Sequence, residues 1–384
     1  MSEPDPRHMK KQIYLDNAAS SHPKPKTVAS AMARAVTQAA GNPGRGFHKL
    51  SLAASRIIHE ARDTLASLLD LPHPERLIFT RGATEGLNLA IRGLLKPGDR
   101  VAISRLEHNS VIRPLESLKS LGVEVEYAPS LKNGTPDPAR VPDVDMLITV
   151  AASNVTGAIA DVEALASSCR ARGVKLVVDA AQTAGSIPMP WARQVSVIAM
   201  AGHKGLLGPQ GIGLVWFAPG VEPVPLIEGG TGSASESAIT PPFWPDRHEA
   251  GTPNTPGAAG LLAAAKYLAK RGILDIQEHE IALCSIIMEA LGNNPLITLY
   301  PPFDPKERAS LVTFNVKGMD PAQVSDLLNQ AGIAVRSGLH CAPEAHRFLG
   351  SFPAGAVRAS PGPFGSRAEV RRFLDILIKK IRER

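Results

Sequence analysis

The chain has 384 residues, of which 44% are hydrophobic, so it can bury the core of one large domain and a smaller one. Its formal charge is +6, but the basic residues are interspersed, which argues against a nucleic-acid footprint. Three cysteines are too few for a disulfide framework, and the apolar stretches fall short of the roughly 18 residues of a membrane span. The start also lacks the apolar core of a signal peptide. We therefore expect a soluble, cytoplasmic protein with no metal site, nucleic acid or membrane among its partners.

Residues 1–12 are predicted to form a polar, flexible arm. Beyond them, apolar runs of strand length alternate with segments of helical period. Because continuous Val, Ile and Leu runs indicate strands buried on both faces, we expect a mostly parallel sheet wrapped by helices. The predicted strands are 76–80, 100–104, 123–127, 146–151, 175–179, 195–201 and 211–217. The helices predicted between them are 84–95, 110–121 and 161–172.

The stretch 222–256 is rich in Pro, Gly and Ser and is predicted to be loop. A long helical region, 256–291, follows it. The remaining predicted elements are 311–316, 322–331, 333–336 and 367–381. This order predicts a large domain over 13–258 and a smaller C-terminal α/β domain over 259–384, with which the N-terminal segment can pack.

Polar residues follow several predicted strands at the point where each strand ends. Asp179 ends the strand 175–179, and Asn154 follows the strand 146–151. His203 and Lys204 follow the strand 195–201. Because the ligand crevice of an open α/β sheet lies beyond the carboxyl ends of its strands, we expect these side chains to meet in one crevice.

The step Gly82-Ala83-Thr84-Glu85 opens a predicted helix directly after a strand. Free N–H groups at a helix start and the positive end of the helix dipole favour a phosphate, and the Thr84 hydroxyl adds a donor. An ordinary helix cap is the competing interpretation.

Asp179 and Lys204 suit a pyridoxal phosphate (PLP) site. PLP enzymes pair an Asp with the pyridinium nitrogen and a Lys with the aldehyde. Competing interpretations are a helix-capping Asp and a surface Lys. His108 is either a ring that stacks on the cofactor or a capping histidine, and Gln182 is a candidate contact for the phenolate oxygen of PLP.

Cys341 lies in a loop bounded by Gly and Pro, beside His340 and near Arg336. Positive neighbours lower the pKa of a thiol and favour the nucleophilic thiolate. Cys169 and Cys284 lie on helical faces and are predicted to be inert, buried residues.

Together these motifs resemble the class V, fold-type I PLP enzymes, specifically the cysteine desulfurases and selenocysteine lyases. The matching segments are 14–20 (YLDNAAS), 41–48 (GNPGRGFH), 80–85 (TRGATE), 107–110 (EHNS), 153–157 (SNVTG), 178–182 (VDAAQ), 202–213 (GHKGLLGPQGIG), 250–254 (AGTPN) and 336–343 (RSGLHCAP).

The resemblance implies a role for each matched residue. Lys204 would carry the cofactor and move the α-proton, and Cys341 would take sulfur from cysteine as a persulfide. Thr252 would reach the phosphate of a partner subunit, which implies a homodimer with shared sites. The residues expected at the cofactor are Gly82, Ala83, Thr84, His108, Asn154, Asp179, Gln182, His203, Lys204 and Thr252. Those expected at the substrate are Asn154, Arg358, His48 and Asn17.

The substrate implied is L-cysteine, with L-selenocysteine or another class V reaction as the alternative. The short loop around Cys341 resembles the branch that hands sulfur to a separate acceptor protein. Three departures from the family stand out: Ala201 replaces a common serine, the run 229–233 is longer and more polar, and Phe364-Gly365 replaces Tyr-Asn. A non-catalytic sulfur-relay or scaffold protein is the alternative from another functional class.

Overall fold

The computed structural model describes residues 12–44 and 46–383. The predicted arm, residues 1–12, lies almost wholly outside them. The described helices are α1 Lys26–Gln38, α2 Lys49–Leu68, α3 Ala83–Leu94, α4 Asn109–Lys119, α5 Val162–Arg172, α6 Thr255–Arg271, α7 Ile273–Gly292, α8 Pro321–Gln330, α9 Pro343–Leu349 and α10 Arg367–Arg382. None of the described helices is long and apolar enough to cross a membrane.

The large sheet has seven strands in the order β2-β8-β7-β6-β5-β3-β4. Its strands are β2 Leu77–Thr80, β3 Arg100–Ile103, β4 Glu124–Tyr127, β5 Met146–Val150, β6 Lys175–Asp179, β7 Val197–Ala201 and β8 Gly213–Phe217. The pairings from β4 to β7 are parallel, while β8 runs antiparallel to both of its neighbours. The predicted mostly parallel sheet is therefore confirmed.

The central strands of this sheet are buried along their length, since β5, β7 and β8 consist wholly of buried residues. Helices cover both faces, and the two resulting cores lie on opposite sides of the sheet. Burial on both faces explains why these strands read as continuous apolar runs.

A second, antiparallel sheet has the order β12-β13-β10-β9. Its strands are β9 Ile297–Leu299, β10 Val312–Val316, β12 Arg336–Gly338 and β13 Ala356–Ala359. The N-terminal strand β1 Ile13–Tyr14 pairs in parallel with β11 Ile333–Ala334. Leu15 and Ile13 lie in the same core as β10 and α10.

Helix α6 packs in the first core, against α1 and α2, and this core extends to Ile276 in α7. The C-terminal core begins at Leu283 of the same helix. We therefore propose that the boundary between the large and small domains lies within α7, between Ile276 and Leu283, instead of near residue 259.

Candidate active site

A cavity of about 520 Å³ opens at the carboxyl ends of β5, β6 and β7. Asp179, Lys204 and His108 line it together with the first turn of α3. This volume suits a small molecule. The side chains expected to meet in one crevice do so, because the parallel strands that carry them end at one edge.

Lys204 lies in surroundings that disfavour its positive charge. Burial lowers the pKa of its amine to about 8, while the carboxylate of Asp179 opposes this shift. Arg358 and Arg336 lower the pKa further by charge repulsion. A sizeable fraction of the amine is therefore neutral, and nucleophilic, near neutral pH.

The loop that carries Lys204 is tied to the segment before α1. Lys24 Nζ donates to the carbonyl of His203 (2.7 Å), and Ser21 Oγ donates to the carbonyl of Lys204 (2.9 Å). Lys24 also donates to Ser21 Oγ (2.7 Å). Neither Lys24 nor Ser21 was predicted from the sequence, although both lie within four residues of the end of the motif 14–20.

Asp179 combines two functions that the sequence presented as alternatives. Its Oδ1 accepts from the backbone N–H of Ala181 (2.9 Å), so the carboxylate caps the turn after β6. The side chain is 5% exposed and also lines the cavity. The turn therefore fixes the direction in which this buried negative charge points.

His108 is likewise both a cap and a wall of the cavity. It is the N-cap of α4, and its Nδ1 accepts from the backbone N–H of Ser110 (3.1 Å). Burial lowers its pKa, with Asp179 opposing. Because Nδ1 accepts from that amide, the proton of the neutral ring belongs on Nε2.

The first turn of α3 forms one end of the cavity. Gly82 is the N-cap and makes no side-chain capping bond, so the interpretation of Thr84 as the cap is wrong. The N–H groups of Ala83 and Thr84, in the first turn, have no acceptor within the helix. His203 lines the same cavity, and burial lowers its pKa to about 4. Its Nδ1 is buried and has no hydrogen-bond partner within 12–44 and 46–383.

Arg358 lies behind the cavity wall formed by Asn154 and is 2% exposed. It donates from Nη1 to the carbonyl of Asn154 (2.8 Å) and from Nη2 to Asp16 Oδ1 (3.1 Å). Its Nε is buried without a partner in the described part of the chain, as is Oδ1 of Asn154. Asp16, which holds the guanidinium, was not singled out from the sequence.

Gln182 lines the cavity and donates from Nε2 to the carbonyl of Ala18 (3.0 Å). Asn17 lies beside Lys204 in a small adjoining cavity of about 30 Å³. Its amide donates to the carbonyl of Ser360 (3.0 Å) and accepts from the N–H of His22 (3.0 Å). The side chain of Asn17 is therefore largely engaged within the chain.

The main cavity is not lined by five of the predicted site residues, namely Asn17, His48, Thr252, Cys341 and Arg358. His48 is exposed and caps α2, where its Nδ1 accepts from the N–H of Ser51 (3.4 Å). Thr252 lines a neighbouring cavity of about 230 Å³, and Asn42 donates to its hydroxyl (3.4 Å).

Glu107 is a fully buried acid in the motif 107–110, and no role was predicted for it from the sequence. Its Oε1 accepts from the backbone N–H of Val150 (2.9 Å) and is also hydrogen-bonded to the hydroxyl of Ser104. Burial raises its pKa to about 8, and the charge of Asp179 adds to the shift. The raised pKa favours the neutral form of Glu107, which adds no second negative charge beside Asp179.

Cys341 is exposed, whereas Cys169 and Cys284 are buried as predicted. Burial raises the pKa of the two buried thiols to about 11 and about 12. The carbonyl of Cys341 accepts from the N–H of Asn109, the first residue of α4 (2.8 Å), so its loop lies against the helix that His108 caps.

The prediction from the sequence that His340 is positively charged is wrong. Burial, together with repulsion from Arg358, lowers the pKa of His340 to about 2, so its ring is neutral. Of the two neighbours named from the sequence, only Arg336 brings a positive charge to the Cys341 loop. The described residues contain no group of His, Cys, Asp and Glu able to hold a metal ion.

Known proteins resemble this chain over nearly its whole length. The family profile for class-V aminotransferases matches residues 13–373. A probable cysteine desulfurase of Pyrococcus abyssi is 35% identical and aligns over 95% of this chain and 93% of its own. A cysteine desulfurase of Pectobacterium atrosepticum is 33% identical over 94% and 91% of the two chains.

Among solved structures, the cysteine desulfurase of Thermococcus onnurineus superposes with a TM-score of 0.90, at 32% identity and full coverage of both chains. The sequence motifs, the sheet order and these similarities agree. The chain belongs to the class-V aminotransferase family, and the relatives named above are cysteine desulfurases or a probable one.

Proposed function

We propose that this protein is a PLP-dependent cysteine desulfurase that converts L-cysteine to L-alanine and leaves a persulfide on Cys341. The observation that carries the proposal is the joint placement of three groups. Lys204 and Asp179 line one cavity, and the exposed Cys341 lies on a loop bonded to the helix that starts at its edge. A negative charge on Cys341 would raise the pKa of Lys204, which supports a location of the thiol near the amine.

The residues of the cavity fit PLP. The buried Nδ1 of His203, which has no partner among the described residues, and the amides at the start of α3 suit a phosphate, and the carboxylate of Asp179 in the same cavity suits a pyridinium nitrogen. The residues proposed to hold the cofactor are Gly82, Ala83, Thr84, His108, Asn154, Asp179, Gln182, His203 and Lys204. When bound, PLP withdraws electrons from the α-carbon of the amino-acid substrate.

The protein's own groups would bind the substrate and move its protons. Arg358 would hold the α-carboxylate of cysteine through its Nε, which has no partner among the described residues, and Asn154 would assist. Lys204, as a neutral amine, would remove the α-proton and later return a proton to the product. His108 carries its proton on Nε2 and would relay protons at the same edge.

The sulfur step is balanced without an outside oxidant. The sulfur of Cys341 forms a bond to the sulfur of the substrate as the carbon–sulfur bond of the substrate breaks. The electron pair of the broken bond stays with the substrate carbon, which gains a proton. The sum is one thiol plus cysteine giving one persulfide plus alanine. A separate protein with a nucleophilic thiol is the proposed acceptor of this sulfur.

We further propose a homodimer in which His48 and Thr252 serve the site of the partner subunit. Both lie off the main cavity of their own chain, on segments joined by the contact between Asn42 and Thr252. Asn17, which lines the small adjoining cavity together with Lys204, would lie at the substrate side of the site.

The function is tested by purifying the protein with added PLP, supplying L-cysteine and a reducing thiol, and measuring alanine and sulfide together. We expect equal amounts of the two. The Cys341→Ala variant should keep the visible absorbance of the cofactor and lose sulfide release. Pyruvate-dependent transamination of alanine without sulfide would instead identify an aminotransferase, and an unchanged rate in Cys341→Ala would refute the role of the thiol.

A further inference from the structure

The backbone of the Cys341 loop is held in an uncommon conformation. His340 has φ +50° and Cys341 has φ +58°, both in the left-handed region. This region is unfavourable for residues with a Cβ and persists only where the surrounding structure fixes it. The contacts around this loop therefore determine where the thiol is presented.

Two of these contacts are made by residues of the large domain, one after β5 and one at the start of α4. Asn154 Nδ2 donates to the carbonyl of His340 (2.7 Å), and the N–H of Asn109 donates to the carbonyl of Cys341 (2.8 Å). Both hydrogen bonds hold the backbone of the loop, and neither involves the side chain of His340 or of Cys341.

The third contact is a chain of buried side chains. The rings of His340 and His346 are stacked with centroids 5.3 Å apart, and Nδ1 of His340 lies 3.2 Å from Nε2 of His346. Nδ1 of His346 is 2.8 Å from the hydroxyl of Ser351. The N–H of Ser351 in turn donates to the carbonyl of His346 (2.9 Å), which closes the end of α9.

Both rings are neutral, so this chain is a hydrogen-bonded support without an ion pair. Burial is the main cause of the lowered pKa of His340 and of His346, and Arg358 adds repulsion to each. His346 is fully buried and His340 is 6% exposed. The ring next to the thiol is therefore anchored in the interior of the C-terminal part of the chain.

We propose that His346 and Ser351 are positioning residues for the sulfur step: they fix the His340 ring and so hold the thiol of Cys341 at the edge of the cavity. The inference rests on the proposed desulfurase function and adds to it a set of hydrogen-bonded side chains that hold the thiol in place. Because a misplacement of about 1 Å costs up to roughly a hundredfold in rate, loss of these hydrogen bonds should slow the sulfur step measurably.

His346→Leu places an apolar side chain at this buried position and removes both ring hydrogen bonds. We expect sulfide release to slow at least about tenfold. The exchange of the α-proton of L-alanine in D₂O, followed by NMR, needs Lys204 but no thiol and should stay within about twofold. Hydrogen exchange at the amides of Asn109 and Ala342, which are bonded to the loop, should become faster.

Three further variants separate positioning from general damage. In His346→Gln the terminal amide can still donate to His340, and its sulfide release should recover to within about threefold of wild type. Ser351→Ala removes one hydrogen bond with little change in volume and should give an intermediate loss. The control is His279→Gln, a half-buried histidine bonded to the carbonyl of Gly365 away from the loop (2.9 Å), which should behave as wild type.

The outcomes decide between distinct failures. Equal loss of alanine exchange and sulfide release in both His346→Leu and Ser351→Ala, or no loss of either, would overturn the positioning role. A wild-type protein that exchanges the α-proton but forms neither sulfide nor a persulfide would instead overturn the proposed function. Slower sulfide release with normal alanine exchange, reversed by His346→Gln, is the result that supports the inference.

Discussion

The amine of Lys204 lies in surroundings that resist its charge, and this has a measurable consequence. Its pKa is lowered by burial to about 8, so the neutral, nucleophilic form gains as pH rises through that value. The rate at which the cofactor-free protein takes up PLP should therefore rise with pH and level off above about 8. Stopped-flow absorbance across a pH series measures this rate.

The same experiment on a variant tests whether the surroundings of Lys204 set its pKa. The charge of Asp179 raises the pKa of Lys204, so Asp179→Asn should move the midpoint to lower pH. A midpoint near that of a solvent lysine, about 10.4, would show that the amine is not held as described.

At the level of single residues, the sequence was informative where a side chain follows a strand. The positions of Asp179 and Lys204 at one sheet edge follow from local pattern alone. Asp16 and Glu107 were missed because their roles arise from contacts made only in the folded chain. The charge of His340 was predicted wrongly for a related reason: burial, which a sequence does not display, makes the ring neutral.

At the level of elements, the strands of the large sheet were predicted to within a few residues because continuous apolar runs mark burial on both faces. The stretch 222–256, predicted to be loop, contains one short 3-10 helix, Asp246–His248, and its last two residues begin α6; the rest of it is loop. The region 256–291 was taken as one helical region, whereas α6 and α7 are separate helices that meet at Gly272. Helices α1 and α2 had no counterpart among the predicted elements.

Gly272 joins α6 to α7 with φ +86°, a conformation that strains a residue with a Cβ. Gly272→Ala should therefore lower the free energy of unfolding by about 1 kcal/mol. The matched control is Gly292→Ala, since Gly292 lies within α7 and a Cβ there would meet only Leu299 at 3.8 Å. Gly292→Ala should be neutral or stabilising by up to about 1 kcal/mol. Thermal unfolding of both variants gives the comparison, and equal effects would contradict the role of Gly272.

At the level of the whole molecule, two buried glutamates make stability depend on pH. Burial raises the pKa of Glu107 and of Glu280 from 4.5 to about 8. Between these values the folded protein holds protons that the unfolded chain has released, so their effect is a loss of stability as pH rises. The buried histidines with lowered pKa act in the opposite sense below about pH 6.5, and Lys204 does so above about 8.

Between pH 6.5 and 8, the change of stability with pH therefore comes mainly from the two glutamates. Between pH 6.5 and 8, the melting temperature of the double variant Glu107→Gln, Glu280→Gln should fall less than that of the wild type. Glu236 is exposed, and Glu236→Gln is the control that should keep the wild-type slope. Identical slopes in all three proteins would show that the two carboxyls are ionised throughout.

The proposed dimer makes a prediction about one exposed side chain. Phe47 is 99% exposed and lies in the segment that holds His48 and approaches Thr252 through Asn42. In the proposed dimer this ring would be covered by the partner subunit. Phe47→Asp should convert a dimer to a monomer in light scattering and weaken PLP binding. Phe303→Asp, at a ring 61% exposed on the C-terminal part, should leave the dimer intact.

The central claim is that sulfur passes from free cysteine to the thiol of Cys341. The most direct measurement is mass spectrometry of the PLP-loaded protein after one turnover with L-cysteine and no reducing thiol, with alanine measured in the same sample. We predict one added sulfur on the peptide that contains Cys341, none on those of Cys169 or Cys284, and one alanine for each persulfide. Alanine formed at the same rate by Cys341→Ala, or sulfur found on another cysteine, would contradict the account.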